Sequence, residues 1–178
     1  MIIHDLSKEQ EEKVWRHPKI KELLPKAALP DSTNERVISD NGTIRNCIGC
    51  FGCWVKTPGA CVLRDDYSDM GELLAKSTEV LVISKCCYGG FSPFVKNVFD
   101  RSISYVHPKF VIRKGEMHHK FRYMKQFNLK VVFYGEEISQ QEKETARRLM
   151  AANVVNLGGV EPQILFLTTE ELMGEKIC

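Results

Sequence analysis

Four cysteines fall within one short stretch, spaced Cys47-x-x-Cys50-x-x-Cys53-x7-Cys61. Thiolates bind iron–sulfur clusters and structural zinc and act as redox nucleophiles, so this density in an intracellular chain points to metal or electron transfer. Gly49, Gly52 and Pro58-Gly59 interleave the cysteines and supply the tight reversals that let one loop deliver four side chains to one centre. A four-cysteine zinc site accepts similar spacing, although such sites usually use two separated Cys-x-x-Cys pairs. A third reading is a metal-free loop in which cysteine behaves as a small apolar residue.

A second stretch with chemical potential is Cys86-Cys87-Tyr88-Gly89-Gly90-Phe91-Ser92. Paired glycines let backbone N–H groups approach a planar ligand closely, Tyr88 offers an aromatic face, and Ser92 caps the following helix. The plainer reading is a tight strand-to-helix turn, with Cys86 and Cys87 packed one on each face of the sheet. Asp65-Asp66 reads as an N-cap, Asp100-Arg101 as an ion pair on a helix surface, and His118-His119 as neighbours whose rings diverge. Cys178 is terminal and incidental. No nucleophile elbow, P-loop or dinucleotide fingerprint is present in the sequence.

The elements that would position these residues alternate. Short apolar runs at Met1–Ile3, Arg36–Ile38, Val80–Ser84, Lys130–Tyr134 and Gln163–Leu167 predict five strands. The third and fourth are continuous rather than alternating, as strands buried on both faces of a parallel sheet must be. Between them, Ser7 with Gln10 and Ser139 with Glu142 form capping boxes, and Ser92-Pro93 sets a cap and a first-turn proline ahead of Phe94, Val98 and Phe99. Asp66 is the expected cap of a helix carrying Met70, Leu73 and Leu74, and Pro18 is expected to end or kink the first helix. The helix after Ser139 carries a stripe of Ala146, Leu149, Met150 and Asn153 and stops at Gly158-Gly159.

Five strands alternating with helices predict a three-layer α/β/α fold. Its doubly wound parallel sheet takes the flavodoxin-like order 2-1-3-4-5, in which ligands bind beyond the C-terminal strand ends. Two segments, Pro25–Asn34 and Ser104–Asn128, read as irregular, the second as a candidate lid or subunit contact. A chain of 178 residues suits one domain, 1–178. A net charge of +2 gives no nucleic-acid footprint, and no apolar run is long enough to cross a bilayer. The polar N-terminus and the odd, clustered cysteines predict a cytoplasmic protein rather than a secreted disulfide framework.

The stretch from Cys47 to Cys61, followed by Asp65-Asp66, resembles the NADPH-dependent FMN reductase and iron-sulfur flavoprotein branch of the flavodoxin-like superfamily. A second match, Tyr88-Gly89-Gly90-Phe91-Ser92-Pro93-Phe94-Val95-Lys96-Asn97 with Asp100-Arg101, resembles the loop and helix after that family's third strand. The resemblance covers about Cys47 to Arg101. It implies FMN at the strand ends against Cys86–Ser92, NAD(P)H as co-substrate, a 4Fe-4S cluster on Cys47, Cys50, Cys53 and Cys61, a small-molecule or protein electron acceptor, and a homo-oligomer.

Where that family carries a Ser/Thr/Asn/Gly-rich phosphate loop, this chain reads His4-Asp5-Leu6-Ser7-Lys8-Glu9-Gln10-Glu11-Glu12. Ser7 and Lys8 are the candidate phosphate contacts, while Glu9, Glu11 and Glu12 would repel a phosphate at the same helix end. One compensation is cationic donors from Arg113, Lys114, His118, His119, Lys120, Arg122 and Lys125, supplied by a neighbouring subunit; the plainer and favoured reading is a solvated basic loop with Phe110, Phe121, Tyr123 and Phe127 packed beneath it. Three functions stay open at this point: an FMN-dependent NAD(P)H oxidoreductase, a flavin-free binding or scaffold subunit on the same fold, and an iron–sulfur electron carrier.

Overall fold

A computed structural model describes residues 1–24, 36–113, 115–124 and 126–174. Its central sheet is parallel and five-stranded: β1 (Ile2–His4), β2 (Val37–Ser39), β3 (Glu79–Lys85), β6 (Asn128–Gly135) and β7 (Gln163–Thr168), in the order β2-β1-β3-β6-β7. All five apolar runs became strands, within a residue or two of the expected bounds. The order is 2-1-3-4-5 once two extra strands, β4 (Val106–Arg113) and β5 (Glu116–Phe121), are set aside.

Side-chain alternation explains why the central runs are apolar without interruption. Val80 and Val82 enter one core with Ile3, Val131 and Phe133, while Leu81 and Ile83 enter a second with Ile2, Val132 and Leu167. The first core is closed by α4 (Met70–Lys76), α5 (Pro93–Arg101) and α6 (Gln140–Leu157), through Leu74, Val95, Val98, Ala146 and Met150. The second is closed by Val14 of α1 (Lys8–Val14), Ile20 of α2 (Pro18–Leu23) and Leu172 of α7 (Thr169–Leu172). Each such side chain, removed from water, contributes about 1.5–3 kcal/mol, so the sheet is held from both sides.

The capping signals around Ser7, Ser92 and Ser139 are realised. Ser7 and Ser139 close reciprocal boxes, Ser92 Oγ accepts from the Val95 N–H, and Gly158 ends α6 in the left-handed conformation at φ 77°. Pro18 opens α2 at its first turn, where its missing N–H costs nothing, and so separates two short helices.

Three expectations are corrected. Asp66 is not a cap: Asp69 occupies that position in α4, and Asp66 instead accepts from Asn41 Nδ2 at 3.0 Å. Asp100-Arg101 is not one surface pair: Asp100 binds Lys96, one helical turn back, and Arg101 turns inward. The segment after Ser104 is not irregular: residues 103–105 form a short 3-10 helix, and β4 and β5 pair as an antiparallel hairpin, with Gly115 in the turn at φ 84°. Pro108 lowers β-propensity there, yet a two-stranded ribbon consists only of edges, where a missing N–H is tolerated. Pro25–Asn34, Lys114, Lys125 and Cys178 lie outside the described residues.

Candidate functional site

The cysteine loop is tied to α5 from both ends. Asn97, buried on α5, accepts the Cys47 N–H on Oδ1 at 3.2 Å and donates from Nδ2 to Asn46 Oδ1 at 3.1 Å. One turn on, Arg101 is 1% exposed and spends its whole guanidinium on the loop. Nε–H donates to Cys61 Sγ at 3.1 Å, and the two terminal nitrogens donate to both Asp65 oxygens at 2.8 Å and to the Arg45 and Leu63 carbonyls. The fork fixes the loop's far end and places a positive charge beside a cysteine sulfur. In turn the Arg101 guanidinium holds the Asp65 carboxyl down at about 2.

Cys53 sits in the short helix α3 (Gly52–Val55), which is pinned by the Trp54 indole N–H donating to the Val106 carbonyl at 2.9 Å. All four cysteines line a single cavity of about 330 Å³, walled also by Ile48, Phe51, Phe99 and Arg101. Cys53 and Cys61 are buried, and Cys47 and Cys50 are exposed at the mouth. Burial, reinforced by the neighbouring thiols, raises the Cys53 pKa. The four cysteines border one space, and among the described residues no three metal-binding side chains stand at the spacing of a single ion. A four-iron cluster takes one thiolate per iron around its outside, and the donor set and the cavity fit that group.

The second stretch forms a two-residue turn. Cys87 and Gly90 exchange backbone hydrogen bonds at 3.0 and 2.8 Å, with Tyr88 at φ 54° and Gly89 at φ 81° between them. Gly89 lies against α6, where any Cβ would stand 2.7 Å from the Glu142 carbonyl oxygen. Cys86 packs on the first core and burial raises its pKa, while Tyr88 is 93% exposed. Tyr88 and Phe51 are the two non-glycine residues with positive φ among those described, one in each motif. A bulky side chain held in that conformation stores about 1–3 kcal/mol and gathers at functional positions.

The loop after β1 is closed on itself. The N–H groups of Asp5, Leu6, Ser7 and Gln10 go respectively to the Ile83 carbonyl, His4 Nδ1, Gln10 Oε1 and Ser7 Oγ. The Asp5 carboxylate accepts the Lys85 N–H at 2.9 Å and the Tyr134 hydroxyl at 3.1 Å, joining the ends of β1, β3 and β6. His4 is fully buried, and burial lowers its pKa although Glu11 and Asp5 lie close. Burial, then Asp5, push the Tyr134 pKa up. Ser7 is therefore committed to its own helix and, with exposed Lys8 flanked by Glu9, makes no phosphate cradle. A phosphate-anchored FMN does not fit these residues.

Four of the compensating cations are also engaged elsewhere. Arg113 stacks over Phe121 at 4.0 Å, Arg122 donates to the Ser104 carbonyl, and His118 and His119 bond Asn156 and the His107 carbonyl from the hairpin. Phe127 is buried and Phe121 and Tyr123 are half-buried, but Phe110 faces solvent at 60% exposure. A second cavity, of about 510 Å³, opens between α5, α6 and the hairpin, lined by Gly90, Lys96, His119, Asn153 and Asn156 among others. It shares Phe99, Asp100 and Ile103 with the cysteine cavity.

Sequence reasoning missed Asp5, Tyr134 and the inward role of Arg101, and its one usable signal was the Arg101 match to the family motif. Over the whole length, the fold matches the crystal structure of an FMN-dependent NADH-azoreductase from Bacillus anthracis in complex with FMN. The TM-score is 0.57 and the identity 13%, across 98% of this chain and 91% of that one. The chain has a flavodoxin-like fold. A stretch of 86 residues is 33% identical to an iron-sulfur flavoprotein of Archaeoglobus fulgidus, covering 46% of this chain and 38% of that protein. The latter match supports the branch that the cysteine and glycine motifs resemble. No protein-family model matches the chain. No helix among the described residues is long and apolar enough to cross a membrane.

Proposed function

We propose that this chain is an electron-transfer oxidoreductase of the iron-sulfur flavoprotein kind, with a 4Fe-4S cluster held by Cys47, Cys50, Cys53 and Cys61. The observation that carries the reading is the single cavity lined by all four thiols, with a buried guanidinium on one of them. Once bound, the cluster would supply one-electron transfer. The chain supplies the rest: Asn97 and Arg101 hold the loop, Asp65 orients and neutralises the guanidinium, and Phe51, Phe99 and Ile103 keep water from the inner sulfurs. The Arg101 N–H on Cys61 favours the more negative, reduced state of the group it touches.

Flavin enters this reading through the two relatives, one a flavoprotein and one bound to FMN. In this chain the strained, exposed Tyr88 is the surface for its ring, and without a phosphate grip the flavin acts as an exchangeable reactant served by reduced nicotinamide. The neighbouring cavity suits a small electron acceptor, since apolar walls carry a few polar groups and its inner wall is the outer wall of the cysteine cavity. A homo-oligomer formed through the β4–β5 hairpin would cover Phe110, Ile112 and Met117, which are at least 60% exposed.

The test is the visible spectrum of protein purified without air, followed while NADPH and then a trace of flavin are added. The account expects a broad iron–sulfur absorption that bleaches only when both are present. An absorption that dithionite bleaches but NADPH with flavin leaves unchanged would favour a one-electron carrier that works through the cysteines alone, a reading that the closed loop after β1 already favours. Protein that stays colourless after reconstitution with iron and sulfide contradicts both and leaves the scaffold role.

A further inference from the structure

In a doubly wound sheet the ligand crevice opens where the strand order reverses, between the carboxyl ends of β1 and β3, and this is where a flavodoxin-like fold receives FMN. Backbone N–H groups emerging at that point are the donors that an anionic ligand requires. Here the residues at that point are Asp5 after β1, Lys85 at the end of β3 and Tyr134 near the end of β6.

We infer that Asp5 is the resident anion of this crevice, standing where a nucleotide phosphate would, and that it sets ligand choice against phosphorylated flavins. Its two oxygens take the Lys85 N–H at 2.9 Å and the Tyr134 hydroxyl at 3.1 Å, two donors at the carboxyl ends of the strands. Within the loop the Leu6, Ser7 and Gln10 N–H groups are taken as well, which leaves a phosphate the first N–H groups of α1, at Lys8 and Glu9. Glu9 and Glu11 sit in the first turn of α1, where their charges offset the positive end of its dipole. A dianionic phosphate brought here meets a carboxylate on the donors it needs, whereas an uncharged ribityl hydroxyl can donate to that same carboxylate.

The inference rests on the flavin reading for its ligand and on the hydrogen bonds for its residue, and the test separates the two. The full-length protein and the variants Asp5→Asn and Asp5→Ser are titrated with riboflavin and with FMN, and their thermal midpoints are measured against inorganic phosphate. Far-UV circular dichroism of each variant checks the fold, and Asp5→Ser serves if Asp5→Asn does not fold. The wild type should bind riboflavin at least as tightly as FMN, and removing the charge should shift the preference toward FMN by about tenfold or more. Phosphate should raise the midpoint of the variant and leave the wild type unchanged. A wild type that prefers FMN, with the same preference in the variant, overturns the inference. If no flavin binds any form, the flavin reading falls and the phosphate arm alone decides: a gain in the variant upholds the role of Asp5, and no gain overturns it.

Discussion

At the scale of single residues, the chemistry turns on a few buried polar groups. Arg101 is completely enclosed and bonded to Asp65, Cys61 and two carbonyls, so truncation strands a carboxylate whose side chain is only 8% exposed. Arg101→Leu should therefore lower stability by about 3–5 kcal/mol, read as a lower denaturant midpoint. The same pair predicts a pH dependence. Asp65 has its pKa depressed from an ordinary 3.8 to about 2, so its contribution is complete above the upper value and disappears as the pH falls through the lower one. The wild type should lose about 2 kcal/mol of its margin over Asp65→Asn across that window, and parallel curves would show the pair to be energetically idle. None of this was legible in the sequence, because the partners lie far apart: 36 positions separate Asp65 from Arg101, and 129 separate Asp5 from Tyr134. The cysteines were legible because their meaning lies in local spacing.

At the scale of elements, the turn at Tyr88-Gly89 carries most of the strain in the second motif. Gly89→Ala combines a positive φ with a collision against the Glu142 carbonyl and should cost about 1–3 kcal/mol. Tyr88→Asn suits the same backbone better and should stabilise by about 1 kcal/mol while weakening flavin binding. A variant that is both less stable and equally able to bind flavin would remove Tyr88 from the site. The glycines were legible as a turn, but the aromatic's strain and exposure were not, since backbone conformation leaves no mark on residue spacing. The hairpin was illegible for a different reason: Pro108 and the run of basic residues through it read as loop, and only cross-strand pairs such as Phe110 with His119 make it a ribbon. If the hairpin joins two copies, Ile112→Lys should reduce the mass measured by sedimentation to that of a single chain.

At the scale of the whole molecule, sheet order followed from five apolar runs and the rule of right-handed crossovers. Val80–Ile83 and Val131–Phe133 could be continuous only if both faces were covered, and both are. The same topology puts the Cys86–Phe91 turn and Asp5 at one end of the sheet, while α5 reaches from that turn to the cysteine cavity. One short helix thus spans the two chemical regions, with Ser92 at its start and Arg101 at its last turn.

The most direct measurement is the iron and sulfide content of anaerobically reconstituted protein, with electron paramagnetic resonance of its reduced form, beside Cys53→Ser and Cys61→Ser. The account predicts about four of each per chain and a paramagnetic reduced state that both variants lose. Iron bound at far lower content, or retained unchanged when both inner cysteines are replaced, would contradict it.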